Sequence, residues 1–354
     1  MGDHIILRQL NNLPKFLDET YDRILNDLDT FERQEAERLL SLICFAKRPL
    51  PLFAITDALA IDFQDPGEGP FDPSFRVKDP MAALDYCPGL ITLQRHRGIN
   101  APRERYGPVV ALSHFSVEQY LRPSISSWRF GACSNAHALF ARTCLRFLLY
   151  FDLPPDVRVK TILQRFPFLH YAVENFAYHL KLSANDTQVL DLLYRLLANE
   201  HALKICYTVS APLISSREVD FSARERRKRD LGFTAPVPSA LFLATLWDLP
   251  APVIRRLLED TSVASLNQVF EVGDEIELGL PRTPIEAAAY KGNYEVFVML
   301  HESGAFFGDS LWVVDSFFHP HRHYLPSKSA EVMQEELAII GRIIRYVVSH
   351  EEGE

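Results

Sequence analysis

The chain has 354 residues, of which 47% are hydrophobic and 23% charged, and a formal net charge of -9 at pH 7. That length has room for two or three domains with separate cores, and the composition is that of a globular protein, not of a disordered or fibrous one. The acidic balance disfavours nucleic acid as the main partner, because contacts to backbone phosphates draw on an excess of Lys and Arg.

The five cysteines, Cys44, Cys87, Cys133, Cys144 and Cys206, form no Cys-x-x-Cys pair and no dense framework. Neither a disulfide scaffold nor a zinc site is expected, and a reducing compartment fits best. Met1 to Leu13 carries Asp3, His4 and Arg8 and lacks the apolar run of a secretory signal. The apolar windows Ala138–Phe151 and Ala338–Val348 contain Arg142, Arg146, Arg342 and Arg345, and they fall short of the roughly 20 apolar residues of a membrane span. A cytoplasmic protein is expected, with the nucleus as the alternative.

In chain order, Leu13-Pro14 opens an amphipathic helix with Leu17, Tyr21, Ile24 and Leu28 on one face. A second helix spans about Phe31 to Ala46, with Ala36, Leu39, Leu40 and Ile43 as its stripe, and stops before Pro49 and Pro51. A short third helix follows from Leu52 to Ala60, then a loop crowded with Pro66, Gly67, Gly69, Pro70 and Pro73. Asp79-Pro80 caps a further helix that Pro88-Gly89 closes. Strands are predicted at Leu90–Leu93 and Val109–Ser113, joined by an Arg-rich loop, and the chain returns to helix at His114–Leu121. From Asn135 to about Ala198 the periodicity is helical, a stretch expected to pack without carrying chemistry.

Beyond His201 one segment is self-similar to a known repeat. Thr283-Pro284-Ile285-Glu286-Ala287-Ala288-Ala289, then Lys291-Gly292-Asn293-Tyr294, Val296, Phe297, Met299 and Leu300, closed by Ser303-Gly304-Ala305, follows the ankyrin consensus. A weaker copy lies upstream: Ser239-Ala240-Leu241 through Ala244, a turn at Pro250–Pro252, and Val253, Ile254, Leu257 and Leu258. The two copies are farther apart than the usual period of about 33 residues, so 260–282 must hold an enlarged loop.

Residues 13–121 resemble the winged-helix domain, labelled by its similarity to a domain of GPI inositol-deacylases, that follows the NACHT ATPase in many fungal NLR-like proteins. Four parts carry the resemblance: Leu13-Pro14 with Leu17-Asp18-Glu19-Thr20-Tyr21 and Ile24-Leu25; Arg48-Pro49-Leu50; Cys87-Pro88-Gly89-Leu90; and His114-Phe115-Ser116-Val117 with Tyr120-Leu121. It implies a signalling receptor built as ATPase, winged helix, helical segment and ankyrin repeats. This chain begins where that ATPase would end, and is expected to be a fragment or stand-alone module. Lys160-Thr161 and Lys328-Ser329 lack the preceding glycines of a phosphate loop, and no Gly-x-Ser-x-Gly elbow supports lipase chemistry.

Other features have plainer readings. His319-Pro320-His321-Arg322-His323 lacks a nearby cysteine and reads as an exposed loop, not a metal site. Ser113, His114 and Ser116 read as structural: His114, Phe115, Val117, Tyr120 and Leu121 are expected to anchor their helix against the wing. The basic run Arg224–Arg229 and the wing's Arg95, Arg97, Arg103 and Arg105 form the basis of an alternative, a nuclear or nucleic-acid-associated regulator. Asp79 and Asp85, with no Lys or Arg in their helix, oppose DNA reading there.

The expected architecture is mainly α: a winged-helix domain with a small β-hairpin at 1–126, a helical connector at 127–200, and degenerate ankyrin-like repeats at 201–354, closed by a helix near Ala330–Ser349. The expected function is non-catalytic protein recognition or scaffolding, with no cofactor, metal or membrane contact. Partner-facing positions are Leu280, Arg282, Tyr290, Lys291 and Asn293, while Ala287, Ala288, Met299 and Leu300 are core.

Overall fold

A computed structural model describes residues 17–61, 71–94, 107–121, 133–151, 159–183, 186–215, 238–270 and 281–306, with 338, 341–343, 345, 346 and 349. The fold is mainly helical with one small sheet, as expected. The chain divides into two compact units, residues 1–150 with 163–192 and residues 151–162 with 193–354. The helices of the middle third are thus shared between them.

The first unit starts with α1 (Leu17–Asn26) and α2 (Thr30–Phe45). The buried stripe of α1 is Tyr21 and Leu25; Leu17 is exposed, and Ile24 and Leu28 are only half-buried. The face named from the sequence is therefore rotated, because α1 meets only one neighbour closely and Leu28 lies past its end. Asp29 and Glu32 form a reciprocal capping box that sets the start of α2, with Asp29 accepting from the Glu32 N–H at 2.8 Å. Ala36, Leu39 and Leu40 are fully buried, as the periodicity requires, while Ile43 is half-buried and Leu42 takes the deeper place.

A strand missed in the sequence follows. β1 (Leu50–Pro51) pairs with β3 (Val109–Leu112), which also pairs with β2 (Ile91–Gln94), so the sheet has the order β1-β3-β2 and is more than a hairpin. Leu50 and Leu93 both sit opposite Val110. Pro51 is tolerated because β1 is an edge strand, where a missing N–H donor costs least. α3 (Leu52–Leu59) starts directly after it, and the segment expected to be a helix after Asp79 is a tighter 3-10 turn at Pro80–Tyr86, capped by Asp79 on the Met81 N–H. α4 (Phe115–Leu121) buries Val117, Tyr120 and Leu121 but leaves His114 and Phe115 exposed, so those two do not anchor it. Its anchor is α1: Tyr120 donates to Asp22 at 2.6 Å, and the Tyr21 and Ser116 hydroxyls meet at 2.8 Å. α5 (Cys133–Leu149) and α7 (Phe168–Lys181) pack along one another and complete this core with Phe140, Phe147, Phe168, Tyr171 and Phe176. Between them in sequence is α6 (Val159–Arg165).

The second unit contains α9 (Glu200–Ser215), and α8 (Thr187–Ala198) runs into it from the first. Two helix pairs follow: α10 (Ala240–Leu246) with α11 (Ala251–Glu259), and α13 (Pro284–Lys291) with α14 (Tyr294–Glu302). The enlarged loop between the pairs holds a single turn, α12 (Val263–Leu266), and Phe270, whose N–H donates to the Arg282 carbonyl at 2.8 Å. The described residues between 338 and 349 are helical, and Tyr346 lies edge-on to Phe297 and His301 of α14; the rest of the closing helix expected near Ala330–Ser349 lies outside the described residues.

Candidate interaction surface

The two helix pairs are built by the same local chemistry. Ser239 and Thr283 cap α10 and α13 by accepting from the N–H groups of Phe242 and Glu286. Ala287, Ala288 and Ala289 are fully buried where α13 lies against α10, and such small side chains allow the two backbones to come close. α14 packs in turn on α11. Gly292 ends α13 in the left-handed conformation (φ 70°), donating to the Ala288 and Ala289 carbonyls, a position that disfavours any residue with a Cβ.

The tips of the pairs are linked. Asn293 accepts from the Val296 N–H to cap α14, and its amide donates to Asp248 Oδ1 at 2.8 Å. Asp248 itself is in the left-handed region (φ 55°) at the tip of the first pair. On the other side, the Asn267 amide donates to the Gly304 carbonyl at 2.9 Å while its oxygen accepts from the Phe306 N–H at 2.7 Å.

Of the five positions expected to face a partner, Leu280 lies outside the described residues. Asn293 is half-buried and its side chain is engaged in the cap and the inter-pair bond, so it holds the surface together. Arg282 is half-buried, and its backbone N–H donates to Glu286 Oε2 at 2.6 Å. Tyr290 is half-buried with the exposed Lys291 ammonium over its ring at 5.7 Å, which leaves this pair as the outward part of the tip. Among the expected core positions Ala287, Ala288 and Leu300 are buried, while Met299 is half-buried.

The other candidates resolve differently. His114 Nδ1 meets the Ser116 hydroxyl at 2.7 Å and accepts from the Ser116 N–H at 3.2 Å, a local turn at the start of α4. Ser113 donates to the Gly89 carbonyl. Arg224–Arg229, His319–His323 and the arginines of the wing loop lie outside the described residues. Among the described residues no group of His, Cys, Asp and Glu could hold a metal, and no helix is long and apolar enough to cross a membrane.

The sequence reading missed two buried polar groups in the first unit. Asp57 on α3 is 2% exposed, 2.6 Å from Arg76 Nε, and accepts from the Phe168 N–H at the start of α7. Burial outweighs Arg76 and lifts its carboxyl to about 7. The second is a hydrogen-bonded chain from the Lys47 N–H through Tyr171 and His179 to His137. Burial, with His137 and Lys47 adding to it, pushes His179 down to about 3, and burial lowers His137 as well. Beside this chain, Arg48 meets Glu174 at 2.9 Å and His170 Nδ1 at 2.9 Å. Only the i,i+4 spacing of His170 and Glu174 was visible in one dimension.

No family model matches the chain, and no solved structure matches it. The chain is similar to the azaphilone pigments biosynthesis cluster protein L of Monascus ruber. The two are 26% identical over 305 residues, 84% of this chain and 61% of that protein, so the chain spans less than two thirds of that relative's length.

Proposed function

We propose that the chain is a non-catalytic protein-recognition module, with a winged-helix unit and an ankyrin-like stack, of the kind found behind the ATPase of NACHT-type receptors. The observation that carries this reading is the bond from Asn293 to Asp248, which ties the tip of one capped helix pair to the tip of the next. Tip-to-tip bonding of stacked pairs produces a rigid, repeating surface, and repeat stacks bind proteins through such tips and the adjoining helices. The sheet order β1-β3-β2, with its helices before and between the strands, supports the winged-helix part. The name of the Monascus relative sets that protein in a pigment biosynthesis cluster and states no reaction. A recognition role beside the enzymes of such a cluster is compatible with this chain.

The test uses the full chain with a photo-crosslinking amino acid at Lys291 or, as control, at Arg255, which is exposed on α11. A discrete protein adduct is expected from 291 and not from 255, and Tyr290→Ala should abolish it. Equal labelling from both positions overturns the assignment of the tip. A parallel titration with mixed-sequence duplex DNA separates the nuclear alternative, since phosphate-driven binding weakens steeply as salt rises and an apolar protein interface does not.

A further inference from the structure

The chain Lys47–Tyr171–His179–His137 runs through the packed faces of α5 and α7. The Lys47 N–H reaches the Tyr171 hydroxyl at 2.9 Å, that hydroxyl meets His179 Nε2 at 2.8 Å, and His179 Nδ1 meets His137 Nδ1 at 2.9 Å. His179 is fully buried and stacked face to face on Phe140 at 4.0 Å. His137 is buried too, with Phe45 and Tyr178 edge-on to its ring.

The direction of every bond follows from counting protons. A backbone N–H only donates, so the Tyr171 oxygen accepts from Lys47. The single Tyr171 proton then has one acceptor within reach, His179 Nε2. A neutral His179 with a lone pair on Nε2 carries its proton on Nδ1, and it donates that proton to His137 Nδ1. His137 must therefore carry its own proton on Nε2. The reverse order would leave the buried Tyr171 proton without an acceptor, at a cost of about 1–3 kcal/mol.

We infer that this one-way chain is an acid-sensitive tie between α5 and α7, closed only when both histidines are neutral. A second proton on His137 puts N–H groups face to face across the Nδ1–Nδ1 contact, or reverses the chain and orphans the Tyr171 proton; one on His179 turns Nε2 into a donor and leaves the Tyr171 proton without an acceptor. Among the described residues the surroundings offer no compensation. From the segment after α2, the Lys47 ammonium lies over Tyr178 and the Arg48 guanidinium over Tyr171. On α5 the buried neighbours are Phe140 and Cys144, and on α7 Tyr178 flanks both histidines. The acids of this region are engaged elsewhere, Asp57 of α3 by Arg76 and the Phe168 N–H, and Glu174 of α7 by Arg48 and His170. A histidine held neutral in the fold but free to charge when unfolded adds stability above its ordinary range, and loses it as pH falls.

The experiment is long-range nitrogen–proton NMR on the full chain labelled with 15N-histidine, each signal assigned by its loss in His137→Gln or His179→Gln. At neutral pH we expect the proton on Nδ1 of His179 and on Nε2 of His137. In Tyr171→Phe the His179 pattern should change, since the group that fixes its direction is gone. On acidification from about pH 7 to about pH 5, amide protection across α7 should fall by more than about tenfold relative to the double glutamine variant, which shares the opposing contribution of Asp57. Reversed tautomers, an imidazolium at neutral pH, or the same acid response in both proteins each overturn the inference. Should a variant fail to fold, the tautomers of the wild-type chain still decide it.

Discussion

Removing Asn293 tests the stacked-pair surface most directly, because that side chain does two jobs at once. It caps α14 through the Val296 N–H and binds Asp248 of the other pair. Loss of an N-cap costs about 1 kcal/mol. Loss of a hydrogen bond to a carboxylate costs about 1.5 kcal/mol in a protected setting, and less at a half-buried site. Asn293→Ala should therefore destabilise the second unit by about 2 kcal/mol. With a urea dependence of roughly 1–1.5 kcal/mol per molar for a unit of this size, the midpoint should fall by about 1.5 M. The substitutions separate the two jobs. Asn293→Ser retains a good cap without the reach to Asp248 and should lose about half as much. Asn293→Asp is also a good cap, but it sets one carboxylate against another, so it should be as damaging as alanine. Trp247, beside Asp248 at the end of α10, is a local reporter once Trp128 and Trp312 are replaced by Phe. A double-mutant cycle with Asp248→Ala isolates the inter-pair bond, since the left-handed backbone of Asp248 affects both arms equally. If Asn293→Asp were as stable as the parent, or the cycle gave no coupling, the linked tips would be refuted.

Two further outcomes follow from the same structure. Gly292→Ala forces a Cβ into the left-handed region and should cost about 1 kcal/mol, with Gly292→Asn costing less, read from the same Trp247 transition. In the first unit, burial raises Asp57 from 3.8 to about 7, so the folded state holds a proton that the unfolded chain has released, and the contribution of this group to stability declines as pH rises through that window, opposite in sign to that of the buried histidines. Arg76→Ala removes the cation that moderates this rise, and should extend the decline to higher pH. Unfolding curves of the two proteins should be closest near about pH 5 and diverge towards about pH 9; a constant offset across that range rules out the linkage.

The sequence by itself determined the elements whose signals are local. Asp79 with Pro80 satisfies a backbone donor within a few residues, and Thr283-Pro284 with the alanines opens the repeat pattern, so those starts were legible without any knowledge of the fold. The Asp29–Glu32 box and the left-handed end at Gly292 are equally local signals, though the sequence reading passed over them. Tertiary structure alone decided what depends on partners far along the chain. Leu50–Pro51 is a strand only because Val109 and Val110 lie beside it, and the buried face of α1 is Tyr21 and Leu25 because α4 comes to meet them. Asn293 reads as an outward-facing tip residue until Asp248 is placed within 2.8 Å of it. The histidine chain is the extreme case: Tyr171 and His179 lie eight residues apart on α7, but nothing in one dimension joins them to Lys47 or His137, and the bond between the histidines exists only because α5 and α7 pack face to face.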